Sequence, residues 1–571
     1  MPEYLSPGVY VEEFDSSNVP MSGVSTSTAG FVGLSQRGKT VGLPELVTSF
    51  SDFTRKYGSY LSELQFGEYR YLSYAVEHFF LNGGSRAYIM RVALQDAKES
   101  INNELGFIAF KAKNPGAWGD RIRIFIRPSS KAKSNIIEDL GEGQYRLKNV
   151  AGFNEGDIIE LIGINEKEVR KIKFVQESMI TLDAAFSAEV VDMNLVPNVY
   201  VNTCEFDMQV SYEDEVEEYK NLSFNVGGSN FITKALAKSD LIVVEINDQL
   251  EVGIKSFDLL AKNNIADGQA IFTLNGGFDG SISEISPADF IGEDFGSRKR
   301  TGIKAFEDND EASIMAVPGV TNADVLVYLA AHCENKANRF AVLDIAKNNT
   351  SINDLKTYRD MFDTSYAAVY HPWLNVFDPL DKRNIYIPPS GSVMGIYARV
   401  DNSRGVHKAP ANETVRGCIG LDVQYNKGEQ DILNPIGINL IRSFPGQGIR
   451  VWGARTLSSN PTWKYINVRR LFIYLEESVK RNTDWVVFEP NDVSLWARVK
   501  STLECFLTNI WRTGALAGNS ASEAFFVKID ADTMTKDDID NGRLICVIGV
   551  APVKPAEFVI FRFTKLTQES R

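Results

Sequence analysis

The sequence predicts a multidomain α/β protein, and three observations predict it. Apolar strand-like segments alternate with helix-like ones over residues 26–112 and again over 281–402, the pattern of a parallel sheet with helices on its faces. Between these stretches the hydrophobic period changes to two, as in half-buried antiparallel strands. At 571 residues the chain exceeds what one core can hold, so about two to four domains are expected.

Residues 1–25 read as an arm and linker. In SPGVYVEEFD a Pro7-Gly8 turn precedes a short extended run, Val9, Tyr10, Val11, Glu12 and on to Phe14, and Ser16–Pro20 follows as irregular chain. Nothing near it in sequence can accept its backbone hydrogen bonds. Such a strand is tied into a distant sheet or offers a template to another chain.

The first part of the α/β domain, 26–112, opens with TAGFVGLS as a buried strand. ELVTSFSDFTRKYG and YLSYAVEHFFLNGG then read as helices. The second carries Leu72, Ala75, Val76 and Phe79 on one face and stops at Gly83-Gly84. RAYIMRVAL is the next strand. A β-rich domain is expected over 113–280, where Phe206, Met208, Val210 and Tyr212 alternate with Glu205, Asp207, Gln209 and Ser211. Nested in it, at about 129–196, short strands such as DIIELIG and KIKFVQ predict a small β module.

Alternation resumes with the strand ASIMAVPG, the helix NADVLVYLAAHC, the strand RFAVLDI, the helix INDLKTYRDMF and the strand YAAVYHPW. Together they predict a three-layer middle domain, 281–402. A loop, NSRGVHKAPAN, leads to a last domain, 403–571, with two long helices. The first carries Val468, Leu471, Phe472, Leu475 and Val479 at amphipathic spacing. Its Arg469, Arg470, Lys480 and Arg481 read as a polar face. Two strands, RLICVIGVA and AEFVIFRFT, close the chain around a Pro552–Pro555 turn. In the second, Val559, Phe561 and Phe563 share one face, with Ile560 and Arg562 on the other.

Net charge is −14 and the pI about 5.1, which argues against a chain built to coat nucleic acid. No run approaches the ~20 apolar residues of a membrane helix, and the start has no secretory pattern. The five cysteines are widely spaced, never CxxC, as suits reduced thiols in a cytoplasmic protein. The four histidines are never paired at i, i+3 or i, i+4, so no metal site is expected.

One catalytic motif stands out. Gly33–Thr40 matches G-x-x-x-x-G-K-[ST] and follows a predicted strand, which would make the chain a P-loop nucleotide-binding assembly factor. A P-loop needs a helix starting at Lys-Thr to direct its positive end at phosphate. Here Val41, Gly42 and Pro44 follow, and they oppose that helix. The nucleotide reading is therefore carried only as the alternative. GQGIRVWG lacks the third glycine of a dinucleotide turn, and DADTMTKDDIDNG lacks the glycine and a ligand of a calcium loop. No catalytic, cofactor-binding or metal-ligating residue is expected.

The segments gathered in this way resemble the tail sheath proteins of contractile phage tails and related injection systems. The match runs through YLSPGVYVEE, AGFVGL, FFLNGGSRAYIMRV, NPGAWGDRIRI, LNGGFDG and PADFIG. It is densest in RGVHKAPAN, LNPIGINLIRSFPGQGIRVWGARTL, YINVRRLFIYLEESVKRNTDWVVFEPND and GRLICVIGVAPVKPAEFVIFRF. The resemblance implies α/β inner and middle domains, β-rich outer insertions, and no enzyme activity or cofactor. It implies copies assembling in the cytoplasm as stacked hexameric rings around an inner tube, in a phage tail or an injection particle. Baseplate and terminator or cap proteins would be further partners, nucleic acid and membrane would not. It also implies that the N-terminal strand (Val9, Tyr10, Val11, Glu12, Phe14) and a C-terminal one (Glu557, Phe558, Val559, Ile560, Phe561, Phe563) complete sheets in neighbouring subunits. The 403–571 domain would then face the tube, with Arg469, Arg470, Lys480 and Arg481 as candidate contacts.

Overall fold

A computed structural model describes residues 21–162, 168–187, 199–247, 254–261, 265–266 and 268–560. Its centre is one nine-stranded sheet. In chain order the labelled strands are β1 (Ala29–Leu34), β2 (Glu45–Val47), β3 (Ala87–Val92), β4 (Ile314–Ala316), β5 (Phe340–Asp344), β6 (Ala367–His371), β7 (Ile438–Phe444) and β8 (Gly448–Val451). The spatial order is β2-β3-β1-β4-β5-β6-β7-β8, with the short Glu413–Thr414 strand at the far edge. Neighbours from β3 to β7 are parallel, whereas β2 and β8 pair antiparallel.

The parallel strands are mostly apolar because both faces are covered. Ala29 and Phe31 of β1 point into one core, Val32 and Leu34 into the other. The first core takes helices α1 (Phe50–Tyr57), α2 (Leu72–Leu81) and, further along the chain, α5 (Ser390–Arg404). The second takes α3 (Ala323–Lys336) and α4 (Ile352–Arg359). This is the three-layer α/β arrangement expected.

The sheet redraws two expected boundaries. Strands from 26–112 (β2, β3, β1) and from 281–402 (β4, β5, β6) lie side by side in this one sheet, joined where β1 pairs with β4. It also takes β7 and β8, so a division at 402/403 cuts through it. Sequence distance conceals this because parallel neighbours are joined by long crossovers. Two local readings also change. Glu45–Val47 is a strand, and helix α1 begins only after Ser49, whose side chain caps Asp52 N–H. α5 has no counterpart among the expected elements.

Between β3 and β4 the chain leaves the sheet and returns. The Lys98–Phe278 bridge closes the neck, so the β-rich domain begins before residue 113. It holds a five-stranded sheet, which includes the Arg123–Ser129 and Glu205–Tyr212 strands, and a three-stranded one, around one core. A closed six-stranded barrel, Lys133 to Thr203, is inserted where Ser129 and Glu205 face each other as strand partners.

Beyond the sheet lie α6 (Ile466–Asn482), α7 (Val493–Arg512) and a two-stranded sheet of β9 (Phe525–Lys528) and β10 (Val547–Val550). Leu471, Leu475, Leu495, Val499, Leu503 and Phe525 form their separate core.

Asp344 ends β5 in the interior and anchors the start of α5. Ser390 N–H donates to its Oδ1 at 3.0 Å, and Ser390 Oγ (2.6 Å) and Gly319 N–H (3.2 Å) donate to Oδ2. Burial pushes its pKa up to about 6, against the lowering effect of those hydrogen bonds. With an unfolded value of about 3.9, the folded chain holds this proton more tightly. The resulting stability is present below pH ~4 and lost as pH rises through ~6. Comparing wild type with Asp344→Asn by thermal melting should show the wild type losing stability relative to the variant across that window.

Candidate inter-subunit interface

The expected linkage residues divide into three groups. Val9, Tyr10, Val11, Glu12 and Phe14 lie outside the described residues, as do Phe561 and Phe563. Phe558, Val559 and Ile560 are 73, 68 and 78% exposed, and they pair with no described strand. The Glu557 side chain is engaged within its own chain. Arg455 grips its carboxylate bidentately at 2.8 and 2.7 Å, Asn434 Nδ2 donates at 2.7 Å and Tyr465 Oη at 3.2 Å. Burial alone would raise its pKa, but these bonds and the Arg455 charge hold it below the usual range. The physical reason is proximity: Arg455, buried in the bend before α6, needs a carboxylate, and the chain passes it after Pro555.

Of the two expected closing strands, the described residues of the second, 556–560, form no strand, and the first is shorter than expected. β10 runs antiparallel to β9, with Phe525 opposite Val550 and Lys528 opposite Val547. β9 buries Phe525 and Val527 against α7 and exposes Phe526; β10 exposes Val547 and Ile548. Two strands alone are marginal as a sheet. Beside them, Val486, Phe488, Leu495, Val499, Leu544 and Ile548 line an apolar groove of about 700 Å³. Phe488 is fully exposed with φ +68°, a conformation that a bulky side chain rarely adopts.

The expected polar face of α6 is corrected in part. Arg469 and Arg470 are buried. Arg469 stacks on Trp463 at 3.5 Å and Tyr366 at 4.5 Å and donates to Ser365 Oγ at 2.9 Å. Arg470 makes a bidentate pair with Asp401 of α5 at 2.9 and 2.6 Å and lies over Tyr397. Both turn inward because α6 sits between the sheet and the α7 core, so more of its circumference is covered than one apolar stripe suggests. Lys480 is exposed, and Arg481 pairs with Glu477 at 2.6 Å and Glu311 at 3.2 Å.

Gly33–Thr40 forms no phosphate cradle. β1 ends at Leu34, and the next helix is α1 at Phe50. Arg37 fills the loop, reaching the β-rich domain at Glu215 (2.8 Å) and the Tyr212 ring (4.5 Å). A Cβ on Gly38 would strike the Tyr57 ring at 2.3 Å. The segment clamps two domains together. Among the described residues, no group of three or more His, Cys, Asp or Glu could hold a metal ion, and no helix is long and apolar enough to cross a membrane.

The root of the N-terminal arm is a site that sequence reasoning missed. Ser22 N–H donates to Asn482 Oδ1 at 3.3 Å and Asn482 Nδ2 returns to Ser22 O at 2.9 Å; Val24 N–H donates to Ser478 Oγ at 3.1 Å. The one signal for it is the spacing of polar residues on α6.

Residues 299–457 match the family model of the phage tail sheath protein central domain, and residues 458–564 that of the phage tail sheath C-terminal domain. The tail sheath protein of Vibrio phage KVP40 is 28% identical over 211 residues, 36% of this chain and 31% of that protein. That of Escherichia phage P2 is 25% identical over 274 residues, 46% of this chain and 66% of that protein. In fold, the chain is similar to the PVC sheath complex of an extracellular contractile injection system in the contracted state. The TM-score is 0.52 at 21% identity, over 100% of both chains. It is also similar to the contracted helical sheath of the anti-feeding prophage, with TM-score 0.52 at 20% identity over 99% of this chain and 100% of that one.

Proposed function

Because this chain belongs to the phage tail sheath family through residues 299–564, we propose that it is the subunit of a contractile sheath. Copies stack as hexameric rings in a helical sleeve around an inner tube, within a phage tail or an extracellular injection particle. Contraction drives the tube through a target envelope. Partners are neighbouring copies, the tube protein, and the baseplate and cap proteins at the two ends. The subunit acts by assembly and carries out no reaction.

The observation that carries this reading is the C-terminal run Phe558–Ile560, exposed beyond the Glu557 clasp, in a chain whose β9–β10 sheet has two strands among the described residues. The apolar surface at Phe526, Val547 and Ile548 is offered to incoming strands. Residues 9–14 of one neighbour and 558–563 of another add to this sheet. Backbone ladders supply affinity and alternate side chains set register. Lys480 and Arg481, at the exposed end of α6, are the remaining candidate tube contacts.

Energy for contraction comes from interfaces that form only in the contracted state. Burying ~400 Å² more apolar surface per subunit would supply roughly 10 kcal/mol before desolvation and ordering costs. The extended sleeve is then metastable behind a kinetic barrier.

Electron microscopy of the intact chain, of a chain lacking residues 1–14 and of one lacking 558–571, each with the tube protein, tests the reading. Intact protein should give tubular sleeves, and both truncations should remain folded by circular dichroism but unassembled. Sleeves from both truncations would remove the arm linkage; none from the intact chain would remove the sheath assignment.

A further inference from the structure

We propose that α6 is a strut on which both arms are rooted, so that load on either arm enters the globular part through a single helix. This rests on the sheath reading above and adds to it the element that takes the load. Asn467, Arg470, Tyr474, Ser478 and Asn482 follow one another three or four residues apart, which places them along one face of the helix.

That face is occupied end to end by the two chain ends. Ser22 exchanges two hydrogen bonds with Asn482, Val24 N–H reaches Ser478 Oγ, and Arg470 donates to Thr26 O at 2.8 Å. Gly23 lies so close to Tyr474 that a Cβ would stand 2.0 Å from its hydroxyl. The incoming chain therefore runs antiparallel to the helix, from its last residue back to its second turn. At the other end Asn467 Nδ2 donates to Val553 O at 3.3 Å, and Tyr465, immediately before the helix, holds Glu557 together with Arg455.

The two roots thus lie at opposite ends of a 17-residue helix, about 25 Å long. The helix is itself fixed sideways. Arg470 pairs with Asp401 of α5, Arg469 donates to Ser365, and Asn467 donates to His407 O at 2.7 Å. The Arg455 backbone is tied to Asn439 of β7 by bonds of 2.7 and 2.8 Å. Neighbours pulling on the two arms would load this one helix, which its ties to α5 and β7 brace against the central sheet. The spacing of the roots would stay constant while the outer faces change partners.

Two measurements test this on the full chain. In unassembled protein, Ser478→Ala with Asn482→Ala should raise amide hydrogen exchange in residues 22–26 about ten-fold and leave β4–β6 unchanged. Unchanged exchange at 22–26 would overturn the rooting whether or not sleeves form. In wild-type sleeves resolved extended and contracted, the Ser22–Glu557 Cα separation should be the same. A change of more than about one helical turn (~5 Å) would overturn the strut and leave the sheath reading standing. Failure of the wild-type chain to form sleeves would remove the sheath reading, and the load-bearing role with it. A Glu557→Gln chain should assemble into sleeves that fragment on contraction; intact contracted sleeves of wild-type length would count against the strut.

Discussion

A chain carrying Gly395→Val will fail to accumulate in soluble form. Gly391 and Gly395 lie one turn apart on α5, where it crosses α2. A Cβ at Gly391 would stand 2.3 Å from Ala75 O, and one at Gly395 2.4 Å from Phe79 O. Both obstacles are backbone, so neither can rotate away. The helices would have to separate, opening the core that α2 and α5 share with Phe31, Val342 and Tyr370. Overpacking typically costs about 1–3 kcal/mol, and more where backbone must move, so Gly395→Ala should cost at least ~3 kcal/mol. Valine should exceed what a domain of ordinary stability, about 5–15 kcal/mol, tolerates together with the loss of packing. Gly446→Ala is the comparison. Its φ is +72° but no atom lies within 4 Å of the added Cβ, so only a backbone cost of ~1 kcal/mol is expected. Soluble yield and urea unfolding of the three variants distinguish contact from conformation.

Asp401→Ala should destabilise the chain by about 3–5 kcal/mol in the same assay. Asp401 and Arg470 are each 4% exposed, and removal of the carboxylate leaves the guanidinium charged against Tyr397 with Thr26 O as its remaining partner. Thr26 Oγ1 loses its acceptor as well, at 2.7 Å in the intact chain. Arg470→Met combined with Asp401→Leu should cost less than the two single changes summed, because it strands no charge in the interior. Additive costs would show that the pair is worth no more than its separate contacts.

What the sequence disclosed follows from how locally each feature is determined. β1, α2 and β3 are read correctly because apolar runs and a glycine stop carry their own signal. α5 is missed for the opposite reason. From Ser390 to Ala398 it is buried all round, so it shows no stripe, and two of those residues are glycine. Arg469 and Arg470 mislead because spacing reports which side chains share a face, and only the fold reports what covers it. Glu557 sits within an apolar β-like run, and its partner Arg455 is 102 residues away. The pairing of β9 with β10 across an acidic loop is equally non-local. The polar stripe on α6 is present in the sequence, but a polar stripe identifies no occupant.

The pairing of Ser129 with Glu205 has a practical consequence. The barrel enters and leaves through residues held side by side at the end of a ladder, about 5 Å apart. A folded unit with adjacent termini can stand there without straining the strands beneath it, and a short turn can stand there instead. Each subunit therefore has a socket whose contents can be exchanged, and a sleeve of such subunits would repeat that socket in a fixed array, a ready-made scaffold for displaying cargo.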